Sequence, residues 1–298
     1  MSAADNEADA CCAACGIKEV DDIKLKNCNA CFLAKYCGVE CQKNHRKQHK
    51  KECKERMAEL REELLFKQPE SSHLGDCPIC FVPLAFEVNK SSLFSCCSVL
   101  ICNGCIYANH IKDETSRRDP RCPFCREPYI TSPAEAERNT MKRIKAGDRV
   151  AFRQKGCQGK KEQNYSVAVD LLKKAARMGD VEAHNQLGKL HHNGQGVERD
   201  MKKAVHHWEE AAIGGHPGAR FVLGANDAFY GSKFNRAVKH FIIAASQGHG
   251  DALEQLKELY KNGKVTKAEL AAALRAYQAA VDSTKSSQRE AAAHATIF

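Results

Sequence analysis

The stretch AKYCGVECQKNHRKQHKKEC, residues 34–53, carries four potential metal ligands at regular steps. Cys37 and Cys41 are four residues apart, and so are His49 and Cys53. Side chains four residues apart lie on one face of a helix, so each pair can point at one metal ion. Two pairs in C-x-x-C spacing precede the stretch: Cys12 with Cys15, and Cys28 with Cys31. These eight thiol and imidazole donors are enough for two tetrahedral zinc sites.

A second group of eight cysteines follows between residues 77 and 125, and only Cys157 of the 17 cysteines lies beyond it. Disulfides are the alternative explanation, because small secreted domains are also rich in cysteine. The first residues, MSAADNEADACC, lack the basic start and apolar run of a secretory signal. C-x-x-C spacing also suits a tetrahedral metal. We therefore expect zinc, a cytoplasmic or nuclear location and no membrane span.

Residues 12–53 resemble the MYND zinc finger at all eight ligand positions, and Tyr36 and Gln42 also fit that family. MYND ligands interleave along the chain. The resemblance implies one zinc on Cys12, Cys15, Cys37 and Cys41, and another on Cys28, Cys31, His49 and Cys53. A site closed by four protein ligands stabilises a fold and leaves no open position for hydrolysis.

One departure from the MYND pattern concerns peptide binding. Family members that bind proline-rich peptides usually have a tryptophan three residues before the ligand histidine, where this chain has Arg46. A folding module and a specific peptide site both remain open. His45 is an alternative to His49 as a ligand, although the four-residue step to Cys53 favours His49. Cys11 is an alternative to Cys12, but we interpret it as a spare thiol.

The second cysteine group resembles a RING finger, with CPIC at 77–80, ICNGC at 101–105 and CPFCR at 122–126. A cross-braced RING implies one zinc on Cys77, Cys80, Cys102 and Cys105, and another on Cys122, Cys125 and two ligands near residue 96. The usual fourth-ligand places hold Val99 and Leu100, which cannot ligate. We expect Cys96 and Cys97 together to complete the second site, with His110 as the alternative.

A RING finger docks a ubiquitin-conjugating enzyme and orients its ubiquitin thioester, so the resemblance implies catalysis by positioning. Ile79 and Pro123, each between two ligands, offer apolar contacts, and Arg126 offers a forked guanidinium. The alternative is that these residues have only structural roles: Ile79 as a core contact, Pro123 as a turn proline and Arg126 as a solvated charge. We expect the three to bind the conjugating enzyme, with ubiquitin as its cargo and no catalytic residue in this chain.

Internal repetition begins near residue 134, where alanine, lysine, leucine and glycine become frequent. YSVAVDLLKKAARMG (165–179) aligns with MKKAVHHWEEAAIGG (201–215) and NRAVKHFIIAASQG (235–248). AHNQLG (183–188) aligns with ARFVLG (219–224). Two helices a unit are expected, and this pattern resembles the Sel-one-like repeat, a relative of the tetratricopeptide repeat. Such units bury a core only by stacking, and their solenoids bind proteins.

Histidine pairs and basic residues could indicate other functions. We expect His184, His191, His192, His206 and His207 to have surface or packing roles on the repeat helices. Cys157 stands alone and is not expected to be catalytic. The formal charge of +9 falls to about +2 if fifteen thiolates bind four Zn²⁺. The basic run at 43–56 lacks interleaved aromatic residues, so nucleic acid is an unlikely partner.

These patterns predict a multidomain chain: two small zinc-stabilised modules, a MYND finger and a RING-like cross-brace, plus an all-α helical-repeat solenoid. The expected boundaries are a disordered N-terminus at 1–11, the MYND finger at 12–53, a helix and linker at 54–75, the RING-type finger at 76–130, the repeats at 134–281 and a tail at 282–298. The tail is expected to be disordered or a frayed helix. The predicted function is a RING-type ubiquitin-protein ligase; the alternative is a non-catalytic zinc-dependent scaffold or transcriptional adaptor.

The two modules together predict four zinc ions per chain, because each cross-brace holds two closed tetrahedral sites. Native mass spectrometry of the purified chain measures this number directly. A count of two ions would mean that the second module is not a cross-brace.

Overall fold

The computed structural model describes residues 11–20, 22–130, 132–229 and 233–295. The chain divides into two compact units, Met1–Lys67 and Gln68–Phe298. The N-terminus predicted to be disordered, residues 1–11, lies outside the described residues except for Cys11. None of the described helices is long and apolar enough to span a bilayer.

The first unit contains a short hairpin and one long helix. Strands β1 (Lys26–Asn27) and β2 (Lys35–Tyr36) pair antiparallel, with Lys26 opposite Tyr36. Helix α1 runs without a break from Val39 to Phe66. The sequence predicted a separate helix after Cys53, but neither glycine nor proline interrupts residues 39–66. One helix therefore carries the last three ligands of the finger, Cys41, His49 and Cys53, and continues into the start of the predicted linker.

The second unit opens with the residues of the predicted RING finger. A 3₁₀ turn (Val88–Lys90) leads into β3 (Ser91–Phe94), which pairs antiparallel with β4 (Val99–Cys102), and α2 (Asn103–Thr115) follows. The buried cluster of this region contains four cysteines and only three other apolar residues, Leu84, Ile101 and Ile106. So small an apolar core cannot hold 55 residues together without metal or neighbouring structure.

In the described residues between 133 and 283, which omit 230–232, nine helices build the repeats. They are α3 (Pro133–Lys145), α4 (Arg149–Lys161), α5 (Tyr165–Arg177), α6 (Val181–Asn193), α7 (Met201–Ile213), α8 (Pro217–Phe229), α9 (Phe234–Ala245), α10 (Gly250–Lys261) and α11 (Lys267–Ser283). The closest pairs are α4 with α5, α6 with α7, and α8 with α9. The two-helix unit read from the aligned segments is confirmed.

A glycine on the first helix of each pair explains this close packing. A Cβ on Gly188 of α6 would lie 2.6 Å from Cδ1 of Trp208 on α7, and one on Gly224 of α8 would lie 2.7 Å from Cε1 of Phe241 on α9. Both rings are almost fully buried. Each large side chain of one helix thus fills the space that the missing Cβ leaves on its partner.

The turn between successive pairs also repeats. Gly179, Gly215 and Gly248 all have φ near +80°, which glycine adopts without strain. The following residues, Asp180, His216 and His249, each accept a hydrogen bond from the third residue of the next helix. These contacts satisfy N–H groups that a helix start leaves without partners.

The linker and the second zinc module pack on the repeats within the second unit. The N–H of His73 donates to the carbonyl of Gly215 over 3.1 Å, and the Gln68 amide donates to the Ser246 hydroxyl over 2.8 Å. The ring of Phe86 contacts the rings of His216 and His249. The module is therefore anchored on the turns that end α7 and α9.

The tail at 282–298 is predicted to be disordered or a frayed helix; its described residues, 282–295, are mostly helical, and residues 296–298 lie outside the described part of the chain. Helix α11 extends to Ser283, and α12 (Ser287–His294) follows with Ser286 as its N-cap. Helix α12 packs against α2 and buries Ala292. The sequence signal is weak because the helix is short and polar, and its position depends on a contact with residues almost two hundred positions earlier.

Replacing Gly188 with alanine should lower the free energy of unfolding of the second unit by about 1–3 kcal/mol, because the new methyl group overlaps the rigid Trp208 ring. Gly159→Ala is the matched control. Its Cβ would meet nothing nearer than 3.4 Å, so it should be neutral or stabilise by up to about 1 kcal/mol. Urea unfolding followed by circular dichroism measures both, and equal effects would contradict this packing.

Candidate metal centres

Among the described residues of the first 125 positions, 11–20 and 22–125, four tetrads of thiol and imidazole groups occur. Within each, the ligand atoms are all within 4.8 Å of one another. The tetrads are Cys12, Cys15, Cys37 and Cys41; Cys28, Cys31, His49 and Cys53; Cys77, Cys80, Cys102 and Cys105; and Cys96, Cys97, Cys122 and Cys125. The structure thus brings together the sixteen predicted residues in the grouping expected from the sequence.

The spacing of the donor atoms fits tetrahedral zinc. Zinc–sulfur bonds of about 2.3 Å place two sulfurs of a tetrahedron about 3.8 Å apart. The Sγ atoms of Cys77 and Cys105 are 3.9 Å apart, and those of Cys80 and Cys102 are 3.8 Å apart. Nε2 of His49 lies 3.1 Å from Sγ of Cys31. Zinc is the cofactor that this donor set favours.

A common backbone turn forms four of the five C-x-x-C ligand pairs, the exception being Cys102 and Cys105 at the start of α2. The residue after the second cysteine donates its N–H to the carbonyl of the first, over 2.8–3.0 Å, and has φ between +55° and +74°. These residues are Gly16, Phe32, Phe81 and Arg126. Three of them are not glycine, and a left-handed conformation costs such residues about 1 kcal/mol or more. The turn aims both sulfurs at one point, and the fold retains the strain.

Cys96 and Cys97 both reach the last tetrad because they lie in the turn of the β3–β4 hairpin. The N–H of Ser98 donates to the carbonyl of Phe94 over 2.7 Å, and Ser98 has φ of +58°. This sharp reversal turns two adjacent side chains to the same side, whereas an extended strand would separate them. Their Sγ atoms are 4.0 Å apart.

The alternative ligands lie outside the tetrads. Nδ1 of His45 is 3.1 Å from the hydroxyl of Tyr36, and Nε2 of His110 is 3.3 Å from the carboxylate of Glu114. Cys11 is exposed, whereas Cys12 is buried.

Electrostatics within the tetrads favour a bound cation once the thiols ionise. Burial opposes ionisation of Cys12, but backbone hydrogen bonds outweigh it and lower its pKa to about 6. The neighbouring Cys37 raises the pKa of Cys41 to about 12. Burial, together with Cys125, raises the pKa of Cys96 far above the ordinary value. Four thiolates this close repel one another, and a divalent metal ion compensates their charge.

A fifth group, His73, Glu182 and His216, also brings three ligand types within 4.8 Å, but its hydrogen bonds oppose metal binding. Nδ1 of His216 accepts from the N–H of Ala219 over 3.1 Å and carries no proton. With Nδ1 acting as the acceptor, Nε2 is the donor of the ring and donates to the carboxylate of Glu182. A metal ligand must present a lone pair there, so this group stabilises the contact between linker and repeats.

Histidines of α6 and α7 form a packing cluster, as the sequence led us to expect for these residues. Nδ1 of His184 and Nδ1 of His207 are 3.1 Å apart, and the ring centroids are 5.3 Å apart. Because the two nitrogens are much closer together than the two ring centroids, the nitrogens point at each other, as in an N–H···N hydrogen bond. The lone pairs of a shared metal site would have to converge on a third point instead.

The three residues expected to bind a conjugating enzyme lie at the surface of the second zinc module. Ile79 is 37% exposed, Pro123 is half-buried and Arg126 is exposed. The Arg126 guanidinium donates to the side-chain oxygen of Asn109 on α2 over 2.7 Å.

Sequence reasoning missed two exposed aromatic residues on the same turns. Phe81 follows Cys80 and is 76% exposed, and Phe124 lies between Cys122 and Cys125 and is 49% exposed. The sequence does contain a signal for such residues. A large apolar residue inside or just after a closely spaced ligand pair has little hydrophobic core to pack into, so it is expected to be exposed. A strained, exposed phenylalanine is unfavourable for the free chain and indicates a contact surface.

Comparison with known families agrees with this organisation. The MYND finger model matches residues 12–53, and the Sel1 repeat model matches residues 156–180, 181–216 and 224–249. The chain therefore contains a MYND finger and Sel1 repeats. It is a zinc-dependent protein of the kind that mediates protein–protein interactions.

Two solved structures are similar to this chain. One is a Sel1 repeat protein from Oxalobacter formigenes, with 22% identity over 60% of this chain and 69% of that chain and a TM-score of 0.45. The other is a protective antigen of uropathogenic Escherichia coli strains displaying an SLR fold, with 20% identity over 66% of this chain and 41% of that chain and a TM-score of 0.41. A comparison with curated proteins finds no match.

Metal removal should separate the two kinds of structure in the chain. A chelator should unfold residues 12–130, because metal affinity there is folding free energy, and should leave helices α3–α11 in place. Hydrogen exchange resolved by peptide measures both regions in one experiment. If the repeat helices lose protection as fast as the tetrads do, the stability of the repeats also depends on the metal.

Proposed function

We propose that residues 76–130 are a RING-type zinc module that docks a ubiquitin-conjugating enzyme. The chain then acts as a ubiquitin-protein ligase whose MYND finger and Sel1 repeats select the protein to be modified. The sixteen residues of the four tetrads are the zinc ligands in this proposal.

The observation that carries the proposal is the order of the ligand pairs in the second module. One tetrad contains residues 77, 80, 102 and 105, and the other contains residues 96, 97, 122 and 125. Along the chain, successive ligand pairs therefore alternate between the two tetrads. This alternation ties each pair to a distant one, as in a cross-braced RING finger. It fixes the turns that carry Ile79 and Pro123 on a single rigid body.

The exposed residues of these turns support docking. Ile79, Phe81 and Phe124 present apolar surface in a module whose own core is small. Arg126 adds guanidinium donors whose direction is fixed by its bond to Asn109. Protein interfaces typically combine apolar anchor residues with a charged residue, often arginine, whose hydrogen bonds are directional.

Catalysis in this proposal needs no nucleophile from the chain. Closed tetrads leave no metal position for water or substrate. The rate gain comes from holding the ubiquitin thioester and an acceptor amine in a reactive orientation. Substrate selection falls to surfaces outside residues 76–130, and the exposed apolar Phe32, Leu33 and Val39 of the MYND finger are available for it.

A non-catalytic scaffold or transcriptional adaptor is the second candidate. It is supported by the same exposed apolar residues of the MYND finger, which require a protein partner but no ubiquitin chemistry. Both candidates use the repeats as a binding surface, so the test must address the second module alone.

The ligase proposal predicts self-ubiquitination by the purified, zinc-loaded chain with ubiquitin, activating enzyme, ATP and a panel of conjugating enzymes. Ile79→Ala and Arg126→Ala should each reduce the rate at least about tenfold, since interface anchors often contribute 1.4 kcal/mol or more. Arg118→Ala is the matched control, because Arg118 is an exposed arginine of the same module, and it should leave the rate unchanged.

The outcomes separate the two candidates. An inactive wild-type chain across the whole panel would leave the scaffold as the function. An active chain that tolerates both substitutions would mean that the docking residues lie elsewhere on the module. Zinc content and hydrogen exchange of each variant show whether a lost activity reflects docking or folding.

A further inference from the structure

Arg289 of the C-terminal helix α12 is in direct contact with the first metal tetrad of the second zinc module. One guanidinium nitrogen, Nη2, donates to Sγ of Cys80 over 3.5 Å and to the carbonyl of Val82 over 2.9 Å. The other, Nη1, donates to the carbonyl of Pro83 over 2.6 Å and to that of Thr284 over 2.7 Å. One side chain thus joins a metal ligand, the irregular segment that follows it and the end of the repeats.

The backbone of α2 is shaped for this contact. A Cβ on Gly104, between Cys102 and Cys105, would lie 2.8 Å from Cγ, 2.9 Å from N and 3.0 Å from Cα of Arg289. Two of those atoms belong to the backbone of α12 and cannot move without moving the helix. Ala292, one turn further along α12, is buried. Helix α12 therefore packs closely against α2 over two turns. The contact involves the backbone of α12 as well as the Arg289 side chain.

The chemistry of the tetrad gives Arg289 a role. Four thiolates around Zn²⁺ leave two uncompensated negative charges in a largely buried site. Arg289 donates to Sγ of Cys80, so its positive charge lies beside the tetrad. Outer-sphere donors of this kind orient ligands and lower the charge on them, and removing one typically weakens metal binding by about 10–100-fold.

We propose that α12 is a metal-coupled latch: Arg289 is an outer-sphere positioning residue of the Cys77–Cys80–Cys102–Cys105 site, and zinc binding there and docking of α12 on α2 strengthen each other. This inference rests on the second module holding zinc and is independent of whether that module docks a conjugating enzyme. By linkage, whatever α12 contributes to metal affinity, metal contributes equally to docking of α12.

Zinc release from the full-length chain tests the latch. After addition of excess chelator, cysteine alkylation followed by peptide mass mapping gives the rate at which each tetrad opens. Arg289→Ala should speed alkylation of Cys80 and Cys102 about tenfold or more. Alkylation of Cys28 and Cys53 in the MYND finger should be unchanged, which supplies an internal control. Arg275→Ala, an exposed arginine on α11, is the matched control and should not alter any rate.

Two further variants distinguish loss of the contact between Arg289 and the tetrad from general unfolding of the chain. Gly104→Ala should also speed release, because its methyl group displaces α12, although alanine favours helix α2 more than glycine does. Arg289→Lys should be intermediate, because an ammonium keeps the charge but lacks the fork that reaches both sulfur and carbonyls. Circular dichroism of each variant checks that the repeat helices remain folded.

The reciprocal effect has its own readout. Trypsin cleaves after arginine, so cleavage at Arg289 reports release of α12 from α2. Chelation of the wild-type chain should raise the rate of this cleavage before the repeat helices are cut. The latch is contradicted if Arg289→Ala and Gly104→Ala release zinc at the wild-type rate, if all four tetrads open equally faster, or if metal removal leaves cleavage at Arg289 unchanged.

Discussion

Tetrahedral coordination of four closely spaced donors is the constraint on which the first 130 residues depend. The strands of this region have two to four residues, and its buried clusters consist largely of the ligand cysteines themselves. Apolar burial on that scale cannot offset the entropy of ordering the chain. The interleaved order of the ligand pairs turns each metal site into a clamp between distant segments, and this is why strained turns such as those at Phe32, Phe81 and Arg126 persist.

The repeats depend on a different principle. Their helices are held by close approach, with a small residue of one helix receiving a large side chain of the next, as Gly188 receives Trp208. The two kinds of structure meet in the second unit, where the linker, Phe86 and Arg289 fix the zinc module to the turns of α7 and α9 and to the last helix. The module and the repeats therefore form one body, so that binding at the repeats and presentation of Ile79 are mechanically connected.

Local and periodic signals in the sequence predicted the ligand pairs and the helical repeats, and the resemblance to MYND and RING fingers implied how the pairs group into tetrads. Spacing identifies a ligand pair, and recurrence of Ala-Ala and glycine identifies a repeat, without any knowledge of distant contacts. The hairpin turn that lets Cys96 and Cys97 share a site follows only from the pairing of β3 with β4. The roles of Gly104, His216 and Arg289 could not be read at all, because each is defined by a partner that sequence periodicity does not reveal.

X-ray absorption at the zinc edge of the metal-loaded chain tests the central claim most directly. Sixteen ligands shared by four ions, with His49 the single imidazole among them, predict an average shell of almost four sulfurs at about 2.3 Å. The expected contribution is one nitrogen for every four zinc ions and no oxygen. A shell with one or more nitrogen or oxygen ligands per zinc would contradict the four closed tetrads, and with them the account of how this chain folds.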